Sequence, residues 1–189
     1  MSTLSKTLGT VTLALVGFGV HAEDFSSLMQ VAKSTWPEKT HLGVICDYRN
    51  SKTQVDDLAM AAGPNATITV VDVHRADQAQ LGAQILATRS TQFMVLLPAD
   101  LIVRDGSFAA TQAIHRLANY GIPAVGTSPR AVAQGAVFSM GDDTNGEVLV
   151  TNRLTGTVDV ILPEGIRFSR KASLPLAEGM ATIEVFSQK

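Results

Sequence analysis

The chain has 189 residues, of which 46% are hydrophobic and 17% charged, with a formal net charge of −2 and a single cysteine. That length suits one domain with a sizeable apolar core. A near-neutral balance without Lys/Arg runs excludes a general nucleic-acid binder, and one cysteine excludes an intrachain disulfide.

The first 22 residues read as a targeting segment. Lys6 gives a short basic start, Leu8 to Val20 is apolar with small residues interspersed, and Val20-His21-Ala22 fits a small-x-small cleavage site. This pattern predicts a secretory signal peptide cleaved after Ala22 and a periplasmic mature chain beginning at Glu23. Its apolar run is too short for a spanning helix.

Residues 23–40 should form an N-terminal helix capped by Asp24. Phe25, Leu28, Met29 and Ala32 share one face of it, and Trp36-Pro37 ends it. "HLGVIC" (41–46) reads as a first strand, with Cys46 as a small buried hydrophobe. Val55, Leu58, Ala59 and Ala62 then carry helical spacing, stopped by Gly63-Pro64-Asn65. The unit repeats. "ATITVVDV" is strand-like, Ala79, Ala83 and Leu86 mark a helix, and "QFMVLLP" is a third strand. Ser107 caps a helix read as carrying Phe108, Ile114 and Leu117 on its apolar face. "IPAVGTS", a short helix over Pro129–Gln134, and "AVFSMG" complete the alternation.

Almost wholly apolar strands alternating with helices predict an α/β fold. It is a three-layer, Rossmann-like, mainly parallel sheet with helices on both faces. After Gly141 the pattern turns β-rich: "EVLVTN", "TVDVILPE" and "MATIEVFS" are strand-like and expected as antiparallel hairpins that continue the sheet or pack beside it. The expected organisation is a single α/β lobe over 41–165 followed by a β-rich C-terminal tail over 166–189.

In an open parallel sheet, ligands sit beyond the carboxyl ends of the strands. That edge should carry Asp47, Tyr48, Arg49 and Asn50 after the first strand, and His74 and Arg75 after the second. Asp100 follows the third, Thr127 and Ser128 the fourth, and Asp142 the fifth. This mixed-sign polar rim suits a small polar solute. The alternative for Asp100 is a turn cap, and for Ser128-Pro129 a helix start.

Several sharper motifs are absent. There is no G-x-G-x-x-G after the first strand, no P-loop and no G-x-S-x-G. His41, His74 and His115 lack metal-ligand spacing in the sequence. "GDDTNGE" fails as an EF-hand, because Gly141 and Asn152 fall where acids are required. No cofactor, metal or catalytic set is expected, and the chain reads as a non-enzyme.

"HLGVICDYRNS", "VLLPADLIVRDGSFAA", "NYGIPAVGTS" and "AVAQGAVFSMGDD" resemble one lobe of the periplasmic substrate-binding proteins of ABC importers. The resemblance is to the tyrosine/tryptophan-type receptors, of periplasmic-binding-protein-like class I, and covers about 42–143. It implies a solute-binding-like module for uptake or sensing of a small polar ligand, with Asp100 at the cleft. That family closes two lobes on its ligand, and the mature chain has room for one. The size and the ending are also similar to the YfiR-like periplasmic regulators, on "LMQVAKSTWP" and "QGAVFSMGDDTNGEVLVTN". That resemblance implies a protein-interaction module acting on a membrane partner. A homodimer is a further way to supply the second wall.

Overall fold

The computed structural model describes residues 22–140, 148–150 and 181–187. Among these residues, five α-helices and seven strands follow one another as α1 (Ala22–Thr35), β1 (His41–Cys46), α2 (Tyr48–Ala62), β2 (Thr67–Asp72), α3 (Ala79–Thr88), β3 (Phe93–Val95), α4 (Phe108–Ala118), β4 (Ala124–Gly126), α5 (Pro129–Gln134), β5 (Phe138–Met140), β6 (Val148–Val150) and β7 (Thr182–Ser187). The strands form one sheet in the order β6-β5-β4-β3-β1-β2-β7. Six of them are parallel and β6 alone runs antiparallel, against β5.

Helices cover both faces, as the apolar strands require. Along β1, Leu42, Val44 and Cys46 pack with α1 and α2, while Ile45 packs with α3. From the end of β3 the chain continues the alternation, with Val95 and Leu97 on the first side and Leu96 on the second. Period-two side chains buried on both sides produce such near-continuous hydrophobic runs. Trp36, just beyond α1, sits between Phe93 and Phe138 with its ring centroid 5.6 Å from each. It thereby ties α1 to the sheet.

Three expectations need correction. Helix α1 already runs at Ala22, so Asp24 lies inside it and is not its cap. Phe108 does not belong to the apolar face of α4: it is 74% exposed, whereas Ile114 and Leu117 are buried. The positions three, four and seven residues after Phe108 are Thr111, Gln112 and His115, so Phe108 starts the polar stripe of the helix. Finally, β7 is no antiparallel tail element. It pairs parallel with β2 over six residues and forms the far edge of the same sheet. "TVDVILPE" lies outside the described residues.

Candidate functional site

Strand β1 lies between β3 and β2, and the chain leaves it in one direction for β2 and returns past it for β3. The carboxyl ends of β1 and β3 therefore flank the topological switch point, where open α/β sheets form their binding crevice. Asp100 occupies that crevice.

Its carboxylate is 0% exposed and accepts four hydrogen bonds. Oδ2 accepts from the Asp47 amide at 2.9 Å and the Ser51 hydroxyl at 2.6 Å, both at the start of α2. Oδ1 accepts from the Ile102 and Val103 amides at 2.8 and 2.6 Å. The N-terminus of a helix favours an anion, since its first amides lack intrahelical partners. Here the anion is the chain's own. It fills the position that a ligand's negative group would take, and no face of it is open to a solute.

A second acid, absent from the sequence-derived set, acts in parallel. Asp105 is 6% exposed, and its Oδ2 accepts from the Thr127 amide (3.1 Å), the Thr127 hydroxyl (3.3 Å) and the Ser128 amide (2.9 Å). Ser128 is the cap residue of α5. Its Oγ lies close to the carboxylate without making a well-directed hydrogen bond, and Asp105 Oδ1 is buried with no donor. Burial pushes this carboxyl up to about 6, against the opposing pull of the Ser128 and Thr127 donors. The backbone can approach so closely because Gly126 has no side chain. A Cβ there would lie 2.2 Å from Cβ of Ala131 and 3.2 Å from Asp105 Oδ1.

The loop after β3 thus carries two buried carboxylates, one gripping the start of α2 and the other the start of α5. Ser107 Oγ adds an inner contact by donating to the Ile102 carbonyl at 3.2 Å, and it caps α4 by accepting from the Ala110 amide. The residues flanking the bonded pair, Leu101 and Phe108, are 66% and 74% exposed. The tightly held loop and the start of α4 thus present one large apolar side chain each to solvent.

The remaining rim residues divide into two groups. Thr127 and Ser128 belong with Asp105. Tyr48 donates its amide to Asp72 Oδ1 at 2.9 Å, and its ring packs against the α1/α2 core. Asn50 donates to Asp47 Oδ2 at 2.6 Å. Asp47, Asp72 and His74 bring one potential ligand atom each to within 4.8 Å of one another. Sequence spacing could not show this set, because its members end two different strands. Asp142 lies outside the described residues. Arg75 is engaged with Asp77 at 3.0 Å. Burial, with the carboxylates of Asp100, Asp72 and Asp47, pushes the Cys46 thiol well above its ordinary range. Cys46 is therefore a buried apolar residue and no nucleophile.

A separate cavity of about 380 Å³ lies at the opposite, amino-terminal edge of the sheet, with Met29, Leu42 and Phe93 among its apolar lining and Lys33 and Lys39 at its margin. Burial lowers the pKa of both lysines. It shares no residue with the carboxyl edge.

No known family model matches this chain, and no curated protein matches it either. Among solved structures it is similar to a conserved domain protein from Vibrio cholerae O1 biovar eltor, with a TM-score of 0.55 at 18% sequence identity. The match covers 63% of this chain and 40% of the other. It shows a shared parallel α/β fold. The chain accounts for less than half the length of that protein.

Proposed function

We propose that this chain is a non-catalytic binding module, built like one lobe of a periplasmic binding protein, that engages a protein partner through its carboxyl edge. The observation that carries this reading is the exposed pair Leu101 and Phe108, one on the hydrogen-bonded loop after β3 and the other at the start of α4. Exposed large apolar side chains on an ordered loop are suited to recognition, since little conformational freedom is lost when they are covered. Phe108 also borders a shallow depression with Ala76, Asp77, Gln80 and Gln112. Burial of Asp100 weighs against the solute reading, because the group best placed to meet a substrate amine is already saturated. A single lobe offers a shallow surface, which suits contact with a partner better than enclosure of a small solute.

A photoreactive side chain placed at Gln112 in producing cells tests the proposal. A discrete protein adduct is expected from Gln112, and none from Lys52 on the exposed face of α2. Replacing Leu101 and Phe108 together by Ser should abolish that adduct and change stability by less than about 0.5 kcal/mol per site, as for exposed positions generally. Calorimetry against a panel of amino acids addresses the alternative. Heat with a single solute, and no adduct, would replace the partner by a solute.

The reading places the chain in the periplasm, after cleavage behind Ala22. Among the described residues no helix is long and apolar enough to cross a membrane. The exported product should have a mass corresponding to a chain that begins at Glu23. A mass retaining Met1 to Ala22 would remove this part of the proposal.

A further inference from the structure

We propose that Asp47, Asp72 and His74 form a binding site for a divalent transition-metal ion of the zinc class. The inference stands on the carboxyl ends of β1 and β2 and is independent of the partner reading. These two strands are paired in parallel register, with Cys46 opposite Asp72. Asp47 and His74 each follow within two residues of that pair. The spacing of the three side chains is therefore set by the sheet.

Three features fit a cation. First, His74 Nε2 and Asp72 Oδ2 are 3.6 Å apart. That is too long for a good hydrogen bond, yet two donors at about 2.1 Å from one tetrahedral ion lie roughly 3.4 Å from each other. Second, two carboxylates approach one another without a lysine or arginine on either of them among the described residues. A doubly charged cation supplies the missing counter-charge. Third, the donors are already aimed. Asn50 donates to Asp47 Oδ2, the Tyr48 amide to Asp72 Oδ1, and Ser187 Oγ to Asp72 Oδ2 at 3.3 Å. The His74 amide donates to Gln78 Oε1 at 2.8 Å, fixing the backbone that carries the imidazole. Such outer partners orient metal ligands and are a regular part of metal sites.

Two oxygens and one imidazole nitrogen suit zinc and its neighbours. Calcium takes six to eight oxygens, and magnesium is an all-oxygen octahedral ion. Three protein donors leave one tetrahedral position open. His74 has 59% of its side chain exposed, so that position faces solvent and is filled by water or by a donor from a bound molecule.

Titration of the full, tag-free exported chain with ZnCl2, followed by calorimetry, tests the site. One ion per chain is expected. Substitution His74→Ala should weaken binding at least tenfold, and His115→Ala, on an exposed position of α4, should leave it unchanged. Cobalt(II) added in place of zinc should give the visible absorption of a four-coordinate ion in the wild type and lose it in His74→Ala. His74 is exposed, so its variant is expected to keep the wild-type circular dichroism. Absence of stoichiometric zinc uptake, equal affinity in His74→Ala, or calcium and magnesium binding as tightly as zinc would overturn the proposal.

Discussion

Replacing Asp100 by Ala is expected to destabilise the fold by about 3–5 kcal/mol, among the largest effects a single substitution produces. The Asp47, Ile102 and Val103 amides and the Ser51 hydroxyl all point at the carboxylate. Without it these donors lose their acceptor at once, and a buried donor left unsatisfied costs about 1–3 kcal/mol. The loss falls below the sum of four such terms, because the loop relaxes and water enters. The negative charge at the start of α2 disappears as well. Asp100→Asn should recover only part of the loss, because its NH2 group faces two donors where an oxygen stood. Urea unfolding checks this through a lower midpoint at unchanged slope. A loss below about 1 kcal/mol would mean that the loop does not depend on the carboxylate, and would reopen the edge as a solute site.

The same residue shows how far the sequence could be read. An apolar run ending in a proline, with an acid two residues on, placed Asp100 correctly at the carboxyl end of β3. The strand-end rule then pointed to the switch point, where it lies. Two of its donors, the Ile102 and Val103 amides, make the turn cap that was the alternative reading of Asp100; the other two could not be read, since Asp47 and Ser51 precede it by about fifty positions and meet it only when β1 and β3 pair. The identity of the anion at the helix start was thus hidden, although the place was not. Asp105 was missed for a related reason. "RDGS" looks like simple turn chemistry, and only the close approach permitted by Gly126 turns its acid inward onto Thr127 and Ser128. The Asp47, Asp72 and His74 set was one step away. Placing the end of "HLGVICD" beside the end of "TITVVDVH" puts these donors next to each other, which the spacing of the histidines along the sequence does not show. Phe108 shows the reverse limit, since an apolar residue at a helix start need not share the apolar face, and its angular position groups it with Thr111, Gln112 and His115. β7 exposes a limit of local patterning. A strand-like stretch near the end of a chain says nothing about which edge it joins, and β2 was the open parallel edge.

Asp105→Asn is expected to change how stability responds to pH. The folded carboxyl titrates at about 6, against 3.8 for its ordinary value, because burial disfavours its charged form. Between those two values the folded chain holds a proton that the unfolded chain has lost. Stability from this group is therefore fully present below about pH 4, falls as pH rises toward 6, and stays low above it. A difference of about two pKa units corresponds to roughly 3 kcal/mol. Asparagine cannot ionise, and its carbonyl can still accept from the Thr127 and Ser128 amides. Its NH2 replaces an oxygen that has no donor and lies near the Ser128 hydroxyl. The variant should match the wild type near pH 4 and exceed it by about 2–3 kcal/mol at pH 7.5. Comparing the two proteins at each pH cancels the titration of every other carboxylate, so the difference curve reports Asp105 alone. A difference that stays constant from pH 4 to 7.5 would show that the carboxyl titrates alike in the folded and unfolded chain. The clamp on α5 would then carry its charge without penalty, and the unpartnered oxygen would have to be satisfied by solvent. A rising curve instead marks Asp105 as a place where the fold gives up stability at neutral pH to hold the loop carrying Leu101 and Phe108.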